Sequence, residues 1–165
     1  MNIFATNICP IQSAHEHNNV HLVKMILESA QLLSTAHYVL DGEQVGYKPT
    51  HRNHPCAIWV RQCSGNYFWL HDHFQALCAE YTFRTNKTHK SAALISVLAS
   101  PPWNIVNGSR TPFAMAMPEQ YQKLGIFDQT KAYQAYLNDK FDEWRSRAKP
   151  MKVEWGARDK PIWAK

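Results

Sequence analysis

The residues best suited to chemistry stand near the start of the chain, where His17, His21, Lys24, Glu28 and Gln31 recur at spacings of four, three, four and three. If residues from about Asn19 to His37 form a helix, most of this set shares one face, because side chains three or four positions apart stack above one another. Such a face offers proton transfer, stabilisation of a cation and contact with an anion. The same pattern also describes a solvated face whose Lys24–Glu28 pair contributes only a few tenths of a kcal/mol. The terminus adds a second reagent. Asn2-Ile3-Phe4-Ala5 reads as a short strand or ordered arm that brings Met1 and Asn2 beside this helix. An α-amine, which titrates at about 8 in free peptides, is a nucleophile in its neutral form.

A second polar patch runs Thr50-His51-Arg52-Asn53-His54-Pro55-Cys56, with Trp59 and Arg61 a helical turn further on. Pro55 suits a first helical position, which would put His51, Asn53 and His54 at a helix end whose amides favour an anion such as phosphate. A capping loop with Asn53 or His54 as the cap explains the same residues equally well. Histidines with Cys56 also raise zinc, with His71 and His73 as further ligands. On a helix, however, His71 and His73 diverge by about 200°, and the ligand count fits no zinc pattern. No metal and no cofactor are therefore expected. The chain lacks a P-loop, a dinucleotide glycine motif and a GxSxG elbow, which argues against nucleotide hydrolysis, hydride transfer and serine esterase chemistry.

The elements that must position these groups are mostly helical. Pro10 opens a brief helix to His17, and the main helix closes at Asp41-Gly42. On the main helix, Val20, Val23, Ile26, Leu27, Ala30 and Leu33 supply the face expected to dock on a core. After a polar connection the chain restarts at Pro55, breaks at Ser64-Gly65-Asn66, and continues as a long amphipathic segment to about Arg84. His89 to Ala99 reads as a short helix stopped by Pro101-Pro102. Trp103 to Gln122 reads as irregular, and Asp128 to Ala148 as the last helix. The expected class is mainly α, a single compact helical domain over 1–165 with an N-terminal arm and irregular loops.

Charge is unevenly placed along the 165 residues. Residues 83–165 hold 14 Lys/Arg against 7 Asp/Glu, whereas residues 1–82 hold 4 against 6. A basic C-terminal half carrying Trp103, Trp144, Trp155 and Trp163 suits a nucleic-acid backbone with stacked or flipped bases, although solubilising charge gives the same count. No apolar run reaches membrane-spanning length and no secretion signal opens the chain, so a cytoplasmic protein without membrane contact is expected. Cys9, Cys56, Cys63 and Cys78 lack paired spacing and read as free thiols.

At His21-Leu22-Val23-Lys24-Met25-Ile26-Leu27-Glu28 the chain resembles the pyrimidine-dimer DNA glycosylases, small viral repair enzymes that also act as abasic-site lyases. That family has a short arm leading into a long helix with a histidine and, seven residues later, the catalytic glutamate. The chain also resembles uncharacterised phage proteins that share the opening and the Thr50–Arg61 patch. The resemblance implies double-stranded DNA as partner and a helical fold with a basic, aromatic tail. It implies that the N-terminal amine of Met1 or Asn2 attacks C1′ while Glu28 stabilises the cationic sugar and assists proton transfers. His21 would help hold the distorted duplex and Lys24 would contact phosphate. Asn2 stands where the family exposes threonine, and Leu27 and Gln31 stand where it carries arginines. Two other classes of function fit the residues. One is a phage enzyme that modifies bases or nucleotides, with Glu28 and the Thr50–Arg61 patch in one pocket. The other is a non-catalytic module that binds DNA or a nucleotide.

Overall fold

The computed structural model describes residues 1–165 and contains helices and loops but no β-strand. The helices are α1 (Pro10–His15), α2 (Asn19–Asp41), α3 (Pro55–Val60), α4 (Ser64–Thr85), α5 (Glu119–Gly125) and α6 (Gln129–Ser146), with a 3-10 turn at Lys90–Leu94. The mainly α class read from the sequence is the class observed. Local chemistry sets the ends of α2. Asn18 caps it by accepting the His21 N–H at 2.8 Å, and Gly42 closes it in the left-handed region at φ 76°, where a side chain would be strained.

Of the two readings of residues 2–5, the arm is the one observed. Four other expectations are revised. The segment Ser64-Gly65-Asn66 is the first turn of α4 and not a break before it, because the Ser64 and Gly65 N–H groups donate to Val106 O and Gly108 O, both at 2.9 Å. The expected 89–99 helix is only the 3-10 turn, and α5 begins inside the stretch read as irregular. Lastly, the apolar face of α2 is divided. Ile26, Ala30 and Leu33 are buried, while Val20, Val23 and Leu27 face solvent, and His21, Glu28 and His37 turn inward. The helix is contacted from several sides by the arm, α3 and α4, so burial does not follow one stripe.

A continuous core of 32 buried residues runs from Ile3 to Ala164. Helices α1 and α2 pack on α4, and α5 on α6. The tail returns across the molecule to the start of α2. The Asn19 N–H donates to Glu154 O at 2.8 Å, Trp155 Nε1 to Glu16 O at 2.8 Å, and Trp163 Nε1 to the Glu16 carboxylate at 3.0 Å. Beneath it, Arg84 and Arg158 both grip the buried Glu80, with shortest contacts of 2.7 and 2.9 Å. This packing locks α1, α4 and the tail around the start of α2.

Candidate active site around Glu28

Glu28 lies at the middle of α2, and the arm crosses directly over it. Its Oε2 accepts the backbone N–H of Asn2 at 2.7 Å and lies 3.9 Å from the Met1 ammonium, while Oε1 lies 3.5 Å from Lys24 Nζ. The carboxylate side chain is 11% exposed and that of Lys24 is 61% exposed. A nearly buried carboxylate is thus held between two nitrogen cations, one of which could be a nucleophile.

The Asn2 side chain explains why the arm holds this course. Its Oδ1 accepts the N–H groups of Ile3 at 2.8 Å and Phe4 at 3.1 Å, the Asx-turn geometry to which asparagine is suited, and its Nδ2 donates to Ala116 O at 2.7 Å. Phe4 then takes φ 42°, a strained value for a bulky residue that persists only when its surroundings enforce it. The enforcement is aromatic packing of its ring on His21, Tyr133 and Tyr136, with centroids 4.7, 6.2 and 6.2 Å away. Cys56 lies under the clamp, with Sγ 3.9 Å from Asn2 Oδ1, and burial pushes its thiol up to about 12, so it stays protonated.

The second polar patch reaches the first through His54. This residue caps α3, its Nδ1 accepting the Cys56 N–H at 3.2 Å, which leaves the ring proton on Nε2. Burial lowers its pKa, the N-terminal ammonium and His51 lower it further, and Glu28 opposes them. A neutral imidazole donor therefore stands within electrostatic reach of the amine and the carboxylate. His51, Arg52 and Asn53 are exposed on the same loop. His51 Nδ1 pairs with Thr50 Oγ1 at 2.7 Å, and the Arg52 guanidinium lies 4.5 Å over the Tyr38 ring.

Other residues of the two patches are built into the fold. His17 is buried, with Nδ1 bonded to Ser13 O at 2.6 Å. His21 is buried against Phe4, Phe141 and Trp144, and desolvation, followed by Lys140 and Lys24, lowers its pKa to about 3. Trp59 packs on Trp69 and Phe113 and donates Nε1–H to Pro112 O at 2.8 Å. Arg61 turns back to donate to Arg52 O and Ala57 O at 2.7 and 3.0 Å. In the basic half, Trp144 and Trp155 are core residues and only Trp103 is fully presented to solvent, at 91% exposure. Sequence reading passed over the Asn2 side chain and Tyr133. Asparagine near an amine of interest is the signal for the first, whereas the second lies far along the chain.

A cavity of about 600 Å³ lies elsewhere, between His37, Phe68, Pro101 and Trp103. Glu28 lies outside this cavity, beneath the arm, with its side chain 11% exposed. No group of His, Cys, Asp and Glu side chains converges as a metal site, and no helix is long and apolar enough to cross a membrane.

The fold and this site define an all-helical protein with a nearly buried carboxylate and an α-amine side by side beneath an N-terminal arm. The family model described as pyrimidine dimer DNA glycosylase matches residues 1–94, more than half of the chain, including the arm, α2 and the His54 loop, and the chain belongs to that family. Comparison with curated proteins and with solved structures gives no match. Membership supports a DNA glycosylase role in repair, with DNA as the substrate.

Proposed function

We propose that the protein excises damaged pyrimidines from double-stranded DNA and cleaves the resulting abasic site through its N-terminal amine and Glu28. The observation that carries this reading is the Glu28 carboxylate, 3.9 Å from the Met1 amine and 2.7 Å from the nitrogen of Asn2. With Met1 in place its amine is the nucleophile and the Asn2 amide only orients the carboxylate. Were Met1 removed, the Asn2 nitrogen would become an amine already in contact with Glu28.

The neutral amine forms a bond to C1′ as the glycosidic bond breaks, and the base leaves with that electron pair and a proton. The C1′–O4′ bond then opens, O4′ takes a proton, and an imine joins C1′ to the chain. Glu28 stabilises positive charge on the sugar and carries the proton from nitrogen towards O4′. Abstraction of a C2′ proton expels the 3′ phosphate and breaks the strand. Lys24, His51, Asn53 and His54 contact the backbone around the lesion, with His54 offering Nε2–H. Residues 1–165 act as one domain, since the tail packs against the start of α2.

Borohydride trapping tests the reading. Purified protein is incubated with abasic-site and thymine-dimer duplexes, and the adduct is mapped by mass spectrometry. Expected are an adduct on the N-terminal residue and a fall of at least 100-fold for Glu28→Gln, the order seen when a proton-transfer group is removed. No adduct and no strand cleavage from the wild type would overturn it.

A further inference from the structure

Three apolar side chains stand on the outer face of α2 beside Glu28: Val20, Val23 and Leu27, with exposures of 37, 45 and 38%. Their spacing of three and four puts them on one face, with Lys24 among them. Single exposed apolar residues are ordinary. These three form a stripe about 10 Å long at the helical rise of ~1.5 Å per residue, and Leu27 directly precedes the carboxylate. Among the groups around Glu28, Asn2 is buried and Lys24 is exposed, so a substrate reaches the carboxylate over this face.

From this placement we propose that Leu27 is a wedge that enters the unstacked step of the DNA beside the nucleotide under attack, with Val23 and Val20 lying along the adjoining sugars. The inference rests on the proposed glycosylase and lyase reading, because only a duplex held at Glu28 brings bases to this face. C1′ of a stacked nucleotide is shielded by its neighbours, so attack needs the local stack opened. Unstacking costs a few kcal/mol per step, and inserted apolar side chains such as Leu are a general means of offsetting it. Lys24, aligned with the stripe and paired with Glu28, supplies the cation that such a face needs towards phosphate.

The test compares Leu27→Ala and Leu27→Met with the wild type on two substrates, a thymine-dimer duplex and a single-stranded abasic oligonucleotide, reading the trapped adduct. A second reading uses a duplex with 2-aminopurine next to a stable abasic analogue, where fluorescence rises when the probe unstacks. Leu27 is on the surface, so equal unfolding midpoints serve as the folding control. We expect the duplex-to-single-strand adduct ratio to fall at least ten-fold in Leu27→Ala and to recover in Leu27→Met, and the 2-aminopurine rise to shrink in parallel. An unchanged ratio and fluorescence in Leu27→Ala, with normal adduct from the wild type, would overturn the wedge and leave the catalytic reading standing. Absence of adduct from the wild type on both substrates would instead remove the catalytic reading, and the wedge with it.

Discussion

Lowering the pH from 7 to 5 should cost this protein much of its stability, because three imidazoles are held neutral in its interior. His17 and His73 are fully enclosed, with ring centroids 5.3 Å apart, and His21 lies 6.4 Å from His17. Desolvation dominates all three, lowering His73 to about 4, His21 to about 3, and His17 well below its ordinary value of 6.5. The neighbours lower His17 and His21 further: His73, His21 and Arg84 act on His17, Lys140 and Lys24 on His21. His17 and His73 each donate one hydrogen bond, to Ser13 O and to Pro10 O, which opposes the lowering without offsetting burial.

The unfolded chain takes up protons on these residues below 6.5 and the folded chain does not, so stability is complete above 6.5 and falls as pH drops towards the folded values. At pH 5 the interval is about 1.5 pH units, worth about 2 kcal/mol at 1.36 kcal/mol per unit for each of His21 and His73, or about 4 kcal/mol together, with His17 acting in the same direction. That is comparable to the ~5–15 kcal/mol total stability of ordinary domains. Urea unfolding followed by tryptophan fluorescence at pH 7, 6 and 5 measures it. Half-exposed histidines such as His15 and His89 add to the total, so the decisive comparison is His73→Phe, which keeps a ring stacked on Trp69 (5.0 Å between centroids) but binds no proton. The variant should lose about 2 kcal/mol less than the wild type between pH 7 and 5. Identical pH dependence in the two proteins would refute the reasoning.

Other substitutions probe the supports of the site. Glu80→Gln leaves Arg84 buried without its counter-charge and should cost about 3 kcal/mol in urea unfolding. Because the arginines hold the Glu80 carboxyl below its ordinary range, against the opposing effect of burial, this contribution should be present above pH 4.5 and fade as pH falls further. Asn2→Ala removes the Ala116 contact and the turn bonds to Ile3 and Phe4, costing about 2 kcal/mol. It should also slow adduct formation at saturating DNA, since the amine loses its fixed place. Gly65→Ala would drive a methyl into the 108–110 backbone, with Gly108 O 2.7 Å from the added carbon, and should lower the unfolding temperature by several degrees.

Much of the scaffold was legible because its signals are local. Pro10 and Pro55 open helices, Gly42 closes one, and the seven-residue interval from His21 to Glu28 lies within a single helix. The environment of each side chain was not legible. Periodicity assigned Val23 and Leu27 to the core and the histidines to the open face, yet the partners that decide burial come from far along the chain. His73 faces His17 from α4, Phe141 and Trp144 enclose His21 from α6, and Asn2 is anchored to Ala116. A hydrophobic stripe locates a core when a helix has one covered side, and α2 has several. Likewise, Arg84 and Arg158 count as basic residues in the sequence but spend their charge on Glu80.

The inversion of α2 bears on chemistry as well as on packing. A carboxylate on a solvated face would be surrounded by water and would hold no fixed partner. Enclosed by the arm, Glu28 keeps one oxygen on the Asn2 amide and the other facing Lys24, so both acceptors are oriented before any substrate arrives. The enclosure has a structural cost, visible in the left-handed Phe4 and in three imidazoles confined to their neutral forms. The apolar packing around Phe4, Tyr133, Phe141 and the returning tail offsets it. On this account the C-terminal segment, beyond the region matched to the family, helps hold the N-terminal arm against Glu28. Loosening Trp155 or Trp163 should therefore reach Glu28 through α1 and the start of α2, without any contact to the site itself.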